Sequence, residues 1–132
     1  MAQITDEELI QKAKSVAKIH KASDNVRMGD VGCALITDKG NVYVGISIDA
    51  CSGIGFCGEH SAIANMVTNE EYLIKKIVAV LEDGTILPPC GRCRELIYQI
   101  NEDNYEYTDI IVDKNKIVKL KDLLPDLWQK RL

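Results

Sequence analysis

Five consecutive apolar residues, Ile77-Val78-Ala79-Val80-Leu81, stand between Lys75-Lys76 and Glu82-Asp83. A half-exposed strand alternates apolar and polar side chains, so an unbroken run of this length is the pattern of a strand covered on both faces. It belongs at the centre of a sheet, with other elements packed above and below it. Helical candidates lie on both sides of it in sequence. Thr5, Asp6, Glu7 and Glu8 form a capping-box signature, and Leu9, Ile10, Ala13, Val16 and Ala17 follow at helical spacing, predicting a first helix to about His20. Ala62, Ile63, Met66 and Val67 predict a second helix, and Leu96, Ile97 and Ile100 a third that ends near Asn101.

The remaining strands are shorter. Residues 31–37 and 41–48 are β-rich runs flanking Asp38-Lys39-Gly40, which reads as a hairpin, and the polar residues 21–30 read as the connector that leads into it. Residues 49–56 contain Ser52, Gly53 and Gly55 and read as a loop. Residues 110–112 and 117–120 are strand candidates around Asp113-Lys114-Asn115, and residues 120–128 predict a last helix interrupted by Pro125. The 132 residues suit one domain, 1–132, with no internal repeat or linker. The expected architecture is α/β, three layers α/β/α around a mixed five-stranded sheet.

Charge narrows the partners. A net charge of −4 lacks the broad positive field that nucleic-acid polymers or anionic membranes require, so a small-molecule substrate is expected. No run approaches the roughly 18 apolar residues of a membrane span, and the N-terminal segment is acidic and helix-like, so the expected location is cytoplasmic. The five cysteines are an odd number and read as reduced thiols for metal or catalysis rather than as a disulfide framework.

Three of those thiols stand at helix starts. Cys57 lies where the loop becomes the second helix, and Pro88-Pro89 stop the chain just before Cys90 and Cys93 open the third. Parallel or mixed sheets bring such junctions to one edge, so the three sulfurs can converge although 32 residues separate Cys57 from Cys90. Zinc suits sulfur ligands, and three protein ligands leave a fourth tetrahedral position for water, the mark of a catalytic site. Glu59, two residues after Cys57, is placed to carry protons as base and then acid. A closed structural site completed by His60, and a redox role for the Cys90/Cys93 pair, are the alternatives; neither accounts for the combination of Pro-Cys-x-x-Cys with an upstream Cys-x-Glu. Cys33 reads as a buried small hydrophobe and Cys51 as a loop thiol.

Cys57-Gly58-Glu59 followed by Pro89-Cys90-Gly91-Arg92-Cys93-Arg94 resembles the bipartite zinc signature of the cytidine deaminase superfamily, in its small three-cysteine branch of nucleoside and blasticidin S deaminases. The resemblance covers roughly residues 5–128. It implies one zinc per chain on Cys57, Cys90 and Cys93, Glu59 as proton carrier, a homotetramer and a place in pyrimidine salvage. It also implies that the Gly58 amide holds the ring carbonyl, that the Pro88 carbonyl receives the leaving amine, and that Trp128 lies near a pocket of its own or a neighbouring chain. Arg92 and Arg94 would soften the charge of the thiolates, with His60 beside the ligand shell. Ser47 and Asp49 fall where the family grips ribose with a longer Asn-x-Glu pair. The expected activity is hydrolytic deamination of cytidine or deoxycytidine. Its alternatives are a cytosine nucleoside antibiotic such as blasticidin S as substrate, or a zinc-stabilised binding protein without catalysis.

Overall fold

Thr5 caps the first helix reciprocally: its hydroxyl accepts from the Glu8 amide and the Glu8 carboxylate accepts from the Thr5 amide, both at 3.1 Å. A computed structural model describes residues 4–131. In chain order they form helix α1 (Asp6–Val16), strands β1 (His20–Ser23), β2 (Val26–Thr37) and β3 (Val42–Ala50), and helix α2 (Gly58–Thr68). Strands β4 (Ile74–Leu81) and β5 (Ile86–Leu87), helices α3 (Gly91–Ile100) and α4 (Asn104–Tyr107), strands β6 (Asp109–Asp113) and β7 (Lys116–Lys119) and helix α5 (Leu120–Leu123) complete it.

The unbroken apolar run is indeed central. β4 pairs antiparallel with β2 on one side and parallel with β6 on the other, while β3 takes the far edge of β2 and β7 the far edge of β6. Those strands make the expected mixed sheet, but the sheet has seven strands rather than five. The additions are β1, against the start of β2, and β5, against the end of β4. One is four residues long and wholly exposed and the other only two residues long, so neither carries an alternation that a sequence reading could detect.

Both faces of the sheet are covered, as the apolar run demands. Cys33 and Leu35 of β2 pack with Ala62, Ile63 and Met66 of α2 and Ile97 of α3. Their neighbours Ala34 and Ile36 turn the other way, onto Leu9 and Ala13 of α1. The first helix ends at Val16 rather than near His20. There the Ala17 amide tightens onto the Lys14 carbonyl at 3.1 Å, and the Ile19 amide donates to the Glu82 carboxylate at 2.7 Å, drawing the chain into the sheet. The polar residues after it, read as a connector, supply β1 and the start of β2. The expected last helix is likewise divided into α5 and a 3-10 turn, Trp128–Arg131, because Pro125 cannot continue a helix.

Two contacts fix the helices that matter for the site. At Gly45 of β3 a Cβ would stand 2.3 Å from the Ala62 amide nitrogen, so α2 lies directly on that strand, and the Ser61 hydroxyl donates to the Ile46 carbonyl at 2.6 Å. Asn104, fully buried in the one-turn α4, accepts from the Ile74 amide at 2.9 Å and donates to the carbonyls of Tyr72 at 3.1 Å and Ile97 at 2.9 Å. It ties β4 to the end of α3. Removing that amide strands the buried Ile74 amide and Ile97 carbonyl and a part-buried Tyr72 carbonyl, so Asn104→Ala should lower the unfolding free energy by about 2–4 kcal/mol. Denaturant unfolding checks this; a loss below about 0.5 kcal/mol would mean that other groups satisfy those partners.

Candidate active site

Cys57 and Cys90 are the N-caps of α2 and α3, both with extended backbone, and neither side chain bonds back to its own helix. Serine or aspartate in such a place would cap the helix; here the side chains are free to meet across the gap between the two helix starts. Cys93, one turn into α3, completes the group. The Sγ atoms of Cys57 and Cys90 are 3.4 Å apart, those of Cys90 and Cys93 are 3.5 Å apart, and all three lie within 4.8 Å of one another. Metal–sulfur bonds of about 2.3 Å in a tetrahedron separate sulfurs by about 3.8 Å, so the cluster fits one zinc with a fourth position left over. Without metal, burial pushes the Cys93 and Cys57 thiols up. Burial also raises Cys90, but the Cys93 amide and the neighbouring thiols outweigh it and hold Cys90 below its ordinary value. Zinc binding must therefore expel protons.

Glu59, in the first turn of α2, is only 5% exposed. Burial raises its carboxyl above the ordinary range, against the partial opposition of its own backbone amide and Cys93. His60 places Nδ1 3.4 Å from the Cys93 sulfur, outside the three-sulfur group. Burial, then the charge of Arg92, lowers its pKa and favours the neutral ring.

A cleft of about 690 Å³ opens over this cluster. Of the residues expected at the site, Ser47, Asp49, Cys57, Gly58, Glu59, Cys90 and Arg92 line it. The buried Ser47 hydroxyl accepts from the Val31 amide at 3.0 Å, which leaves its proton free to donate, and Asp49 is exposed. Arg94 instead donates to the Pro89 carbonyl at 2.8 Å and the Leu123 carbonyl at 3.3 Å, bracing the segment before Cys90. Pro88 has an exposed side chain outside the cleft lining, and Trp128, 66% exposed, lies outside the cleft of its own chain.

The cleft also holds residues not singled out from the sequence. Arg27 grips Asp30 with two bonds, Nε to Oδ1 at 3.1 Å and Nη2 to Oδ2 at 2.5 Å, and both line the wall beside Asp49, the cross-strand partner of Arg27. They fell within the supposed connector. Phe56 lines the cleft as well, and its position directly before Cys57 was the one available signal.

Fold and site together define a zinc-dependent hydrolytic deaminase. The family described as "Cytidine and deoxycytidylate deaminase zinc-binding region" matches residues 3–108. A cytidine deaminase of Mycobacterium tuberculosis is 28% identical over 100 residues, 74% of this chain and 71% of that protein. A blasticidin-S deaminase of Bacillus cereus is 31% identical over 107 residues, 72% of this chain and 74% of that protein. The crystal structure of cytidine deaminase from Mycobacterium tuberculosis superposes with a TM-score of 0.76 at 25% identity, covering 95% of this chain and 98% of that one. That from Burkholderia pseudomallei gives 0.75 at 24% identity, covering 95% and 100%. The chain belongs to the cytidine and deoxycytidylate deaminase family.

The cluster makes a direct forecast for metal content. Purified protein should carry about one zinc per chain, and Cys90→Ala should lose most of it, because two thiolates no longer complete a tight site. Cys33→Ala, which removes a buried thiol outside the cluster, should keep it. Elemental analysis checks both; wild-type zinc in Cys90→Ala would move the ligand set elsewhere.

Proposed function

We propose that this chain hydrolyses the exocyclic amine from a cytosine nucleoside, cytidine or deoxycytidine, giving the uracil nucleoside and ammonia. The observation that carries this reading is Glu59, a buried carboxyl on the floor of the cleft beside the Cys57, Cys90 and Cys93 cluster. Zinc held by those three cysteines would supply the Lewis acidity that makes water nucleophilic at neutral pH. As the water oxygen bonds to C4 of the ring, Glu59 takes one of its protons and delivers it to N3. It then carries the second proton to the amine nitrogen; the C4–N bond breaks, ammonia leaves, and C4–O becomes a carbonyl. Burial, which raises the affinity of Glu59 for a proton, suits a group that holds one in transit.

The Gly58 amide, at the start of α2, is assigned to the ring carbonyl at C2, and the Pro88 carbonyl, between the cleft residues Leu87 and Cys90, to the leaving amine. Ser47 and Asp49 are assigned to the sugar side and His60 and Arg92 to the surroundings of the thiolates, while Arg94 holds the segment before Cys90 in place. In a homotetramer an exposed Trp128 would reach a neighbouring chain's cleft, and a cytoplasmic setting suits the reduced cysteines.

A second reading, a nucleoside antibiotic such as blasticidin S as best substrate, is favoured by the short Ser47 and Asp49 side chains and by the likeness to a blasticidin-S deaminase. A pocket that makes two fewer sugar hydrogen bonds forfeits about 0.5–1.5 kcal/mol for each. Discrimination among cytidine, deoxycytidine, cytosine and blasticidin S should therefore be shallow, or should favour the altered sugar. Specificity constants by ammonia release decide it; a thousandfold preference for cytidine would contradict weak ribose contacts. In the same assay Glu59→Gln should keep zinc and fold while losing at least about a hundredfold in kcat, since an amide cannot carry protons. Retained turnover would remove Glu59 from the reaction.

A further inference from the structure

We propose that Phe56 is a substrate-contacting, specificity-determining residue, whose ring is the face against which the pyrimidine packs where the base joins its sugar. This rests on the deaminase reading above. Phe56 is the one aromatic side chain among the described residues that line the cleft, and at 36% exposure it belongs to neither buried cluster of the core. Its position is built into the fold. The Phe56 amide donates to the Ile48 carbonyl and the Ile48 amide to the Phe56 carbonyl, both at 2.9 Å, a two-bond bridge that clips the loop to β3. Gly55 permits the close pass, because a Cβ there would stand 2.2 Å from the same Ile48 carbonyl.

Ile48 lies between Ser47 and Asp49 on the sugar side, and Phe56 directly precedes Cys57 of the sulfur cluster. A flat ring with its amine at the cluster and its sugar toward Ser47 and Asp49 has to pass Phe56. The charged lining groups Glu59, Asp49 and Arg92 meet a substrate at its polar edges, whereas a heteroaromatic ring also has two apolar faces to cover; of the apolar lining side chains, Val31, Ile48, Leu81 and Leu87 are aliphatic and Phe56 alone offers a flat aromatic face. Phe56 supplies an aromatic surface that water otherwise wets, on a backbone already held, so binding orders little.

Three variants test this: Phe56→Ala, Phe56→Leu, which keeps apolar bulk without the aromatic face, and Phe56→Tyr, which keeps the face. Zinc content, thermal unfolding and sedimentation mass are measured beside cytidine kinetics, and uridine, the product, serves as a probe whose binding needs no turnover. Loss of a base–aromatic stack weakens binding by about ten- to a hundredfold. KM for cytidine and the dissociation constant for uridine should rise by that factor in Phe56→Ala, less in Phe56→Leu, and return to within about threefold in Phe56→Tyr. kcat, zinc and mass should stay near wild type. Unchanged binding in Phe56→Ala, or weakened binding that appears only together with loss of zinc, fold or oligomeric mass, overturns the proposal while leaving the deaminase reading intact. A zinc-loaded wild type that deaminates no cytosine compound removes that reading, and the role of Phe56 with it.

Discussion

Three sulfur atoms from two helices, Cys57 and Cys90 being 33 positions apart in the chain, have to arrive at the separations of a single metal tetrahedron. Everything around them is arranged to make that meeting reproducible. The helix α2 cannot drift because Gly45 brings it onto β3 and Ser61 bonds to that strand. The start of α3 is held by Arg94, which braces the Pro89 carbonyl against Leu123, and its end by Asn104. The cluster is thus the product of two rigid attachments to one sheet, with neither thiol spent on capping its own helix.

The same geometry sets the electrostatics. Two helix N-termini direct their positive ends at the cluster, which favours thiolates, while burial opposes charge on Cys57, Cys93 and Glu59. A divalent cation resolves that conflict. Glu59 is left as a carboxyl that readily takes a proton, in a cleft where Arg27 is already paired with Asp30. Burial and then the charge of Arg92 hold the His60 ring beside Cys93 below its ordinary pKa, and that ring is outside the group of three sulfurs, so the cluster is open on one side toward the cleft.

How much of this the sequence revealed depends on length and chemistry. The central strand was legible because burial on both faces leaves five apolar residues in a row, and the sulfur cluster because cysteine and glutamate at helix starts have few structural reasons to be there together. The strands β1 and β5 and the single-turn helix α4 were not, since each is at or below the length at which a period can repeat. Arg27 and Asp30 were hidden in a polar stretch that pairs into the sheet, and Phe56 in a loop whose backbone bridge to Ile48 has no signature in composition. Trp128 and Pro88 came from resemblance alone; within one chain they lie away from the cleft lining.

In the proposed reaction one open three-sulfur zinc site in each chain drives the hydrolysis. Its most direct test is a zinc titration of chelator-stripped protein, with cytidine loss followed by ultraviolet absorbance and ammonia measured in parallel. Activity should rise in proportion to bound zinc and stop at about one per chain, with one ammonia released for each uridine formed. Full activity in the stripped protein, or saturation with zinc and no conversion of any cytosine nucleoside, would contradict it.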